Sequence, residues 1–360
     1  MKWLGRRKRA LYERATNQRQ VPSTSETAQT TPHPLVEELA GWLAQNHRPG
    51  AMTCDRSARE SGRVIAVGSG KGGVGKTLVS SSLALGLAEH FQRRVVAIDV
   101  DLGGANLHTG LGIKRPSFAL NRFIVEEAPL WELSEPSGFG GLQFVSGASD
   151  IIGLAEFTDA DKDRFLLELA KFNEDVIVLD LGAGSSLFNL DLFCTAREGI
   201  LVTTPEPTAV QNAYGFLRAA IFRRLRLQHR AERNVLDMID ETANHKGNEE
   251  TDSILGLIRR VSKFDRPAAA QLEDIVGQMR VGLVVNMAKA REAARIADGL
   301  ARTVRRHLGA RLDFLGSVDF DASVRRSICE WRPLVVHFPT ARAARRLESV
   351  AAKVSSHFTL

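Results

Sequence analysis

The sequence lacks the features of several protein classes. No apolar run in its 360 residues reaches the roughly 20 residues that a membrane-spanning helix needs. It has only three cysteines, Cys54, Cys194 and Cys329, and no Cys-x-x-Cys pair, so it indicates neither a disulfide framework nor a zinc site. The nine histidines are scattered, and none has a spacing typical of a metal site or a catalytic relay. A reducing cytoplasm is the expected compartment, with peripheral contact at the inner face of the cell membrane as an open alternative.

The chain also lacks a charge excess outside its first residues. The formal net charge is +6, and residues 1–20 hold seven Lys or Arg against Glu13 alone. The other 340 residues carry 41 basic and 41 acidic side chains. Any attraction to polyanions that comes from net charge therefore belongs to the first 20 residues, and DNA is not expected as a partner of the body unless a local basic patch exists.

Residues 1–60 are predicted to form an extension that precedes the main domain. The basic tail MKWLGRRKRALYERATNQRQ begins like a signal peptide, but no apolar segment follows it, so export is not expected. The tail is either a solvated segment or a short helix for an anionic membrane or a ribosome. A Ser/Thr/Pro-rich linker over 21–34 and a short amphipathic helix over 35–45 follow.

The most informative stretch is RVIAVGSGKGGVGKT, residues 63–77. It predicts a strand, a phosphate-binding loop and the start of a helix, because Gly70, Gly75, Lys76 and Thr77 match the spacing G-x-x-x-x-G-K-[ST]. Glycines let backbone N–H groups approach phosphate oxygens, and the helix N-terminus adds its dipole. Lys76 is predicted to neutralise the β- and γ-phosphates and Thr77 to bind Mg²⁺ through its hydroxyl.

A second interpretation of the same stretch is a dinucleotide site, since Gly68, Gly70 and Gly73 also spell G-x-G-x-x-G. That pattern is weak by itself, and it gives no role to the Lys-Thr pair after the last glycine. A glycine-rich turn without a ligand is the third interpretation, but turn chemistry favours Asn, Asp or Ser over the lysines found here.

Lys71, at the start of the loop, makes the sequence Lys71-Gly72-Gly73-Val74-Gly75-Lys76-Thr77 resemble the deviant phosphate loop of the MinD/ParA ATPase family. Other segments resemble the family's two switch regions and its flagellar-number regulator branch, called FlhG-like. The resemblance covers roughly residues 61–346, and its further segments are 97–112, 176–184, 203–214, 284–286 and 315–339.

The fold class expected is α/β, a mostly parallel twisted sheet with helices on both faces, of the P-loop NTPase type seen in MinD/ParA proteins. The parallel sheet is also predicted independently of the resemblance, because apolar runs alternate with segments of helical periodicity. A polar stretch over 228–278 is predicted to be a helical insertion, either a partner-docking surface or a solvated cap. Residues 340–360 predict an amphipathic helix that either docks on the sheet or contacts a membrane.

The chemistry of ATP hydrolysis assigns further site residues. Asp180, which ends an apolar strand, is predicted to hold Mg²⁺ together with Thr77, and Asp101 is predicted to orient the attacking water. The resemblance implies that Lys71 reaches the nucleotide of a partner chain, so that Lys71, Lys76 and Asp101 are the catalytic residues. It also implies that Asn286 reads the adenine edge. The predicted nucleotide-binding set is Gly70, Lys71, Gly72, Gly73, Val74, Gly75, Lys76, Thr77 and Asn286.

The predicted function is an ATP-dependent dimerisation switch with ATP and Mg²⁺ as cofactors, in control of flagella or another polar structure. Relatives contact a GTPase of the signal-recognition type through an N-terminal motif, which this chain does not show. Two alternatives stay open: a regulatory module with negligible turnover, and a DNA-associated partitioning ATPase. Because the chain has no Asn-Lys-x-Asp motif, ATP is expected to be preferred over GTP.

Overall fold

The fold is built on one eight-stranded sheet. The computed structural model describes residues 63–147, 158–229, 232–244 and 253–357, so the extension predicted over 1–60 lies outside the described residues. The strands are β1 (Arg63–Gly68), β2 (Val95–Val100), β3 (Glu135–Pro136), β4 (Leu142–Val145), β5 (Val176–Leu181), β6 (Glu198–Thr203), β7 (Arg280–Asn286) and β8 (Arg311–Val318). Their spatial order is β3-β4-β2-β5-β1-β6-β7-β8, and every neighbouring pair is parallel except β3 and β4.

Helices connect the strands and cover both faces of the sheet. The longer ones are α1 (Lys76–Glu89), α4 (Asp159–Leu169), α5 (Leu187–Thr195), α6 (Pro207–Gln228), α7 (Arg233–Asn244), α8 (Ile254–Val261), α9 (Arg266–Gly277), α10 (Ala290–Leu308), α11 (Ala322–Glu330) and α13 (Arg342–His357). The short ones are α2 (Leu107–Gly110), α3 (Leu120–Val125) and α12 (Leu334–His337), with a 3₁₀ turn at Leu130–Leu133. No helix within the described ranges combines the length and apolarity of a membrane span.

The mostly parallel α/β sheet is confirmed. Seven apolar runs predict strands, and all seven lie in strands: 64–67, 95–98, 142–145, 176–179, 200–203, 281–285 and 314–318. Most of these strands are apolar along their length because both faces are buried, and β2 and β5 have no exposed residue. The edge strand β8 differs, since Arg311 and Phe314 are exposed. The edge strand β3 was not predicted, since Glu135 and Pro136 carry no apolar signal.

The two faces of the sheet hold separate layers. On one face Ile65 and Val67 of β1 belong to a buried cluster with α1 and α13, and the alternate residues of the strand point to the other face. On that other face α5 packs against α6 through Phe193 and Phe216, whose rings meet edge to face at 5.0 Å. The strand glycines Gly68 and Gly199 leave room for these rings, because a β-carbon on either would contact them.

Most of the described residues of the insertion predicted over 228–278 lie in helices. It forms α7, α8 and α9, whose apolar residues are buried, among them Val235, Leu257 and Leu272. Helix α8 packs against α9 and α10, and α9 packs against α6, so the insertion covers helices rather than the sheet itself. Whether it also receives a partner stays a prediction.

The C-terminal helix docks on the body of the domain. Helix α13 packs against α1 and β8, and its apolar face is buried at Ala344, Leu347, Val350 and Val354. A helix that binds a bilayer would need these same side chains to face lipid. In this structure they contact protein instead. The docked alternative of the sequence interpretation therefore describes this helix.

Candidate nucleotide-binding site

The loop between β1 and α1 has a backbone that only glycines allow. Gly73 and Gly75 have φ angles of 78° and 91°, in the left-handed region. A β-carbon on Gly70 would lie 1.9 Å from the carbonyl oxygen of Asn212, and one on Gly75 would lie 2.2 Å from Nδ2 of Asn286. The loop therefore packs closely against α6 at Gly70 and against the end of β7 at Gly75.

The N-terminus of α1 is open to an anion. Its N-cap, Gly75, provides no side-chain cap, and its first turn contains no acidic residue. The free N–H groups and the helix dipole therefore favour a negative group at this point, as a phosphate would supply. Lys76 is buried here, and burial lowers its pKa while the charges of Asp180, Asp101 and Asp99 act in the opposite direction.

Two carboxylates end neighbouring strands beside the loop. Asp99 of β2 and Asp180 of β5 are paired in register, and both are buried. Asp99 accepts hydrogen bonds from the N–H groups of Asp101 at 3.1 Å and Leu107 at 2.9 Å, so it holds the chain that leaves β2. Burial, and then the charge of Asp180, raise the pKa of Asp99, and burial likewise raises the pKa of Asp180.

The pair Thr77 and Asp180, predicted to hold Mg²⁺, is brought together by the fold. Hydrogen bonds from Ser80 and Thr77 to the Asp180 carboxylate oppose the effect of burial on its pKa. No group of three or more carboxylate, His or Cys side chains within the described ranges forms a cage for a metal by itself. A hydroxyl and one carboxylate suit Mg²⁺, which usually takes one or two carboxylates together with phosphate oxygens and water.

Asp101 lies half-buried at the rim of a cavity. The cavity has a volume of about 460 Å³ and is bounded by the ends of β2 and β5 and the first turns of α4 and α5. Oδ1 of Asp101 accepts a hydrogen bond from the N–H of Gly103 at 3.2 Å, and the carboxylate faces the backbone of Gly182. Its predicted role with the attacking water stays a prediction, and it lies near the charged end of Lys76, whose pKa it raises.

Lys71 is exposed, and its side chain contacts another residue of the same chain. Its Nζ lies 3.5 Å from Oγ1 of Thr208 in the first turn of α6, and its carbonyl oxygen accepts a hydrogen bond from Ser69 Oγ at 2.8 Å. It also lowers the pKa of Glu206, after the larger effect of a hydrogen bond from Thr204. The contact of Lys71 with a partner chain stays a prediction.

Asn286 has a role that the sequence did not suggest. It is buried at the end of β7, where Nδ2 donates to the Val74 carbonyl oxygen at 2.8 Å and Oδ1 accepts from the N–H of Met287 at 2.9 Å. In this structure both ends of the amide are engaged with backbone, and one of them fastens the phosphate loop. Reading of an adenine edge stays a prediction, for which the amide keeps one further N–H and one further lone pair.

Two buried side chains of the site were missed from the sequence. Ser80 faces the end of β5 one turn after Lys76, and Asn189 lies in α5 beside the loop that follows Asp180. The spacing of Ser80 four residues after Lys76 places both on one face of α1, which is the only sequence signal for it. Nothing in the sequence distinguishes Asn189 from any other helical asparagine.

Comparison with known proteins decides the family. Residues 65–334 match the model of the CobQ/CobB/MinD/ParA nucleotide binding domain. The chain belongs to this family. The antiactivator FleN of Pseudomonas aeruginosa is 28% identical over 297 residues, which are 82% of this chain and 86% of FleN. The flagellum site-determining protein YlxH of Helicobacter pylori is 34% identical over 167 residues, which are 43% of this chain and 53% of YlxH.

The fold of this MinD/ParA member agrees with that of a solved relative. The septum site-determining protein MinD of Pyrococcus horikoshii, complexed with Mg-ADP, superposes with a TM-score of 0.52 at 20% identity, covering 82% of this chain and 97% of MinD. The predicted family, its FlhG-like branch and the P-loop fold class are confirmed.

Proposed function

We propose that this protein is an ATP-dependent dimerisation switch, which binds ATP with Mg²⁺, hydrolyses it slowly and controls the number or placement of flagella or of another polar structure. The observation that carries the proposal is the meeting of Lys76, Asp101 and Asp180 at one edge of the sheet, beside the N-terminus of α1, which has no side-chain cap. These groups match the needs of phosphoryl transfer, which are positioning and charge rather than covalent chemistry.

Each residue has one task in this proposal. Lys76 and the N-terminus of α1 bind the phosphates, and Thr77 and Asp180 hold Mg²⁺, which when bound supplies positive charge to the β- and γ-phosphates. Asp101 orients the water that attacks. Lys71 is exposed, and among the described residues its Nζ makes one long hydrogen bond, to Thr208, so little energy is needed to release it toward a partner chain.

The regulatory role rests on relatives. FleN is an antiactivator by name and YlxH a flagellum site-determining protein, and the match to FleN spans most of both chains. Fold alone does not assign a biological role. Dimerisation and the flagellar role are therefore the parts of the proposal that need experiment first.

Three variants test the switch. Lys76→Ala is expected to lose nucleotide binding, since the buried charge beside the phosphates is removed. Lys71→Ala is expected to bind ATP and remain monomeric, because a cross-chain contact is lost. Asp101→Ala is expected to bind ATP and accumulate as a dimer, with phosphate release reduced about 100-fold or more. The measurements are size-exclusion chromatography with ATP and Mg²⁺ and a phosphate-release assay on each protein.

The dimer switch is wrong if Asp101→Ala stays monomeric with ATP or hydrolyses it at the wild-type rate. A regulatory module with negligible turnover would then describe the protein better. The biological role is tested separately by replacing the gene with the Asp101→Ala allele in its flagellated host and counting flagella per cell by electron microscopy. If the number and position of the flagella do not change, the flagellar part of the proposal is contradicted. The ATPase part is not affected by that result.

A further inference from the structure

Asn189 is a buried polar side chain that the proposed chemistry leaves without a role. It lies in the first turn of α5 with 5% of its surface exposed. Its Nδ2 donates to the carbonyl oxygens of Gly182 at 3.0 Å and Gly184 at 3.2 Å. Both partners are acceptors, so the amide must present its NH₂ group to them. One side chain therefore ties together two carbonyls of the loop that follows Asp180.

The loop held by Asn189 is bonded in turn to the phosphate loop. The N–H of Gly184 donates to the carbonyl oxygen of Ser69 at 3.1 Å, and Ser69 Oγ donates to the carbonyl oxygen of Lys71 at 2.8 Å. A continuous series of hydrogen bonds thus runs from Asn189 to the backbone of Lys71. Gly184 has a φ of 83°, a conformation that other residues rarely adopt, so this loop depends on its bonds for a fixed shape.

The same side chain lies next to Asp101. A β-carbon built on Gly182 would stand 3.4 Å from Nδ2 of Asn189 and 3.4 Å from Oδ1 of Asp101. The amide and the carboxylate therefore approach one point above Gly182 from two sides. Both line the cavity of about 460 Å³ at the ends of β2 and β5. The loop over 182–184 is called the glycine loop below. A shift of this loop would change the surroundings of Asp101 directly.

We propose that Asn189 is a positioning residue for ATP hydrolysis: by fixing the carbonyls of Gly182 and Gly184 it holds the glycine loop against both Asp101 and the phosphate loop. The inference rests on the proposed function, in which Asp101 orients the attacking water. A displacement of about 1 Å at a reacting group lowers a rate on the order of 100-fold. The phosphates are proposed to bind α1 and Lys76, whereas the hydrogen bonds of the Asn189 amide within the described residues go to Gly182 and Gly184.

The test compares two variants with one control. Asn189→Ala removes the side chain, and Asn189→Asp keeps its shape but replaces the NH₂ donor by an acceptor that the two carbonyls repel. The control is Thr195→Ala at the other end of α5. Thr195 is buried, and its hydroxyl donates to the carbonyl of Asp191 within the same helix at 2.8 Å. Full-length proteins are measured for Mg²⁺-ATP affinity by calorimetry, for single-turnover phosphate release and for thermal unfolding.

Both Asn189 variants are expected to bind ATP within about threefold of wild type and to release phosphate at least about tenfold more slowly. Thr195→Ala is expected to keep both values, whatever its loss of thermal stability. A merely structural role of Asn189 would lower the unfolding temperature and leave the rate of the folded protein intact.

The proposal is overturned if Asn189→Asp hydrolyses ATP as fast as wild type, or if ATP affinity and rate fall together in both variants. A wild-type protein that releases no phosphate overturns the proposed ATPase function and this inference with it. That outcome differs from a failure of Asn189 alone, in which wild type is active and the variants equal it.

Discussion

Ser80 Oγ lies 2.8 Å from Oδ1 of Asp180 and 3.1 Å from the carbonyl oxygen of Lys76. A hydroxyl has one proton, so it can donate to either acceptor, and the shorter distance favours the carboxylate. Asp180 is wholly buried, and burial disfavours its charged form, which a Mg²⁺ ligand needs. Ser80 offsets part of that effect and ties α1, which follows the phosphate loop, to the end of β5.

We expect Ser80→Ala to weaken Mg²⁺ binding without unfolding the protein. Loss of the hydroxyl removes a hydrogen bond to a charged group, worth roughly 1.5–3 kcal/mol, so the Mg²⁺ concentration for half-maximal phosphate release should rise about tenfold or more. The matched control is Ser81→Ala, because Ser81 is also buried and its hydroxyl bonds the carbonyls of Thr77 and Leu78 within α1. Equal Mg²⁺ dependence of the two variants would show that Ser80 does not support the carboxylate.

A methyl group at Gly70 is expected to abolish nucleotide binding. Its β-carbon would lie 1.9 Å from a backbone oxygen of α6, which cannot move aside as a flexible side chain can, so the phosphate loop must shift. Gly72→Ala is the control in the same loop, since its β-carbon would meet only Ala183 Cβ at 3.8 Å and its φ is not in the left-handed region. Calorimetric titration with ATP and Mg²⁺ should detect binding to Gly72→Ala and none to Gly70→Ala.

The parts of this fold that the sequence predicts are those with a local signal. Parallel strands buried on both faces appear as apolar runs, and the phosphate loop appears as a glycine spacing, so both were visible. Helix α5 was missed because its sequence LFNLDLFCT is apolar almost all round and shows no amphipathic period.

The hydrogen bonds that shape the site are not local. Ser80 and Asp180 are 100 residues apart, and Asn286 and Val74 are 212 apart. Such pairs depend on which strands become neighbours, and no single segment of the sequence determines the order of the strands. For Asn286 the sequence therefore did not show the support that its amide gives to the phosphate loop, and its contact with adenine stays a prediction.

Because of Glu198, the protein is expected to be less stable at pH 7 and above than at pH 4.5. It is buried at the start of β6, Oε2 has no hydrogen-bond partner within the described residues, and burial raises its pKa to about 7, with Arg280, Arg197 and Arg63 acting in the opposite direction. In the unfolded chain the carboxyl has its ordinary pKa of about 4.5, so stability is lost between that pH and about 7 and stays lost above it.

Glu198→Gln should remove this loss. Its free energy of unfolding should exceed that of wild type by an amount on the order of 2–3 kcal/mol at pH 8 and by little at pH 4.5. Denaturant titrations at the two pH values measure the difference, with the exposed Glu273→Gln as the control. A Glu198→Gln effect that is the same at both pH values would contradict a raised pKa of Glu198.

Asn286→Ala separates the two roles of that residue. If its amide chiefly fastens the phosphate loop through the Val74 carbonyl, the variant should lose affinity for ATP, GTP and inorganic tripolyphosphate by similar factors, about tenfold for one buried hydrogen bond. If it chiefly reads adenine, affinity for ATP should fall alone and the preference for ATP over GTP should disappear. Competition titrations with the three ligands against a fluorescent ATP analogue distinguish these results. We expect the first, because the Asn286 side chain is buried and its Nδ2 already bonds the phosphate loop.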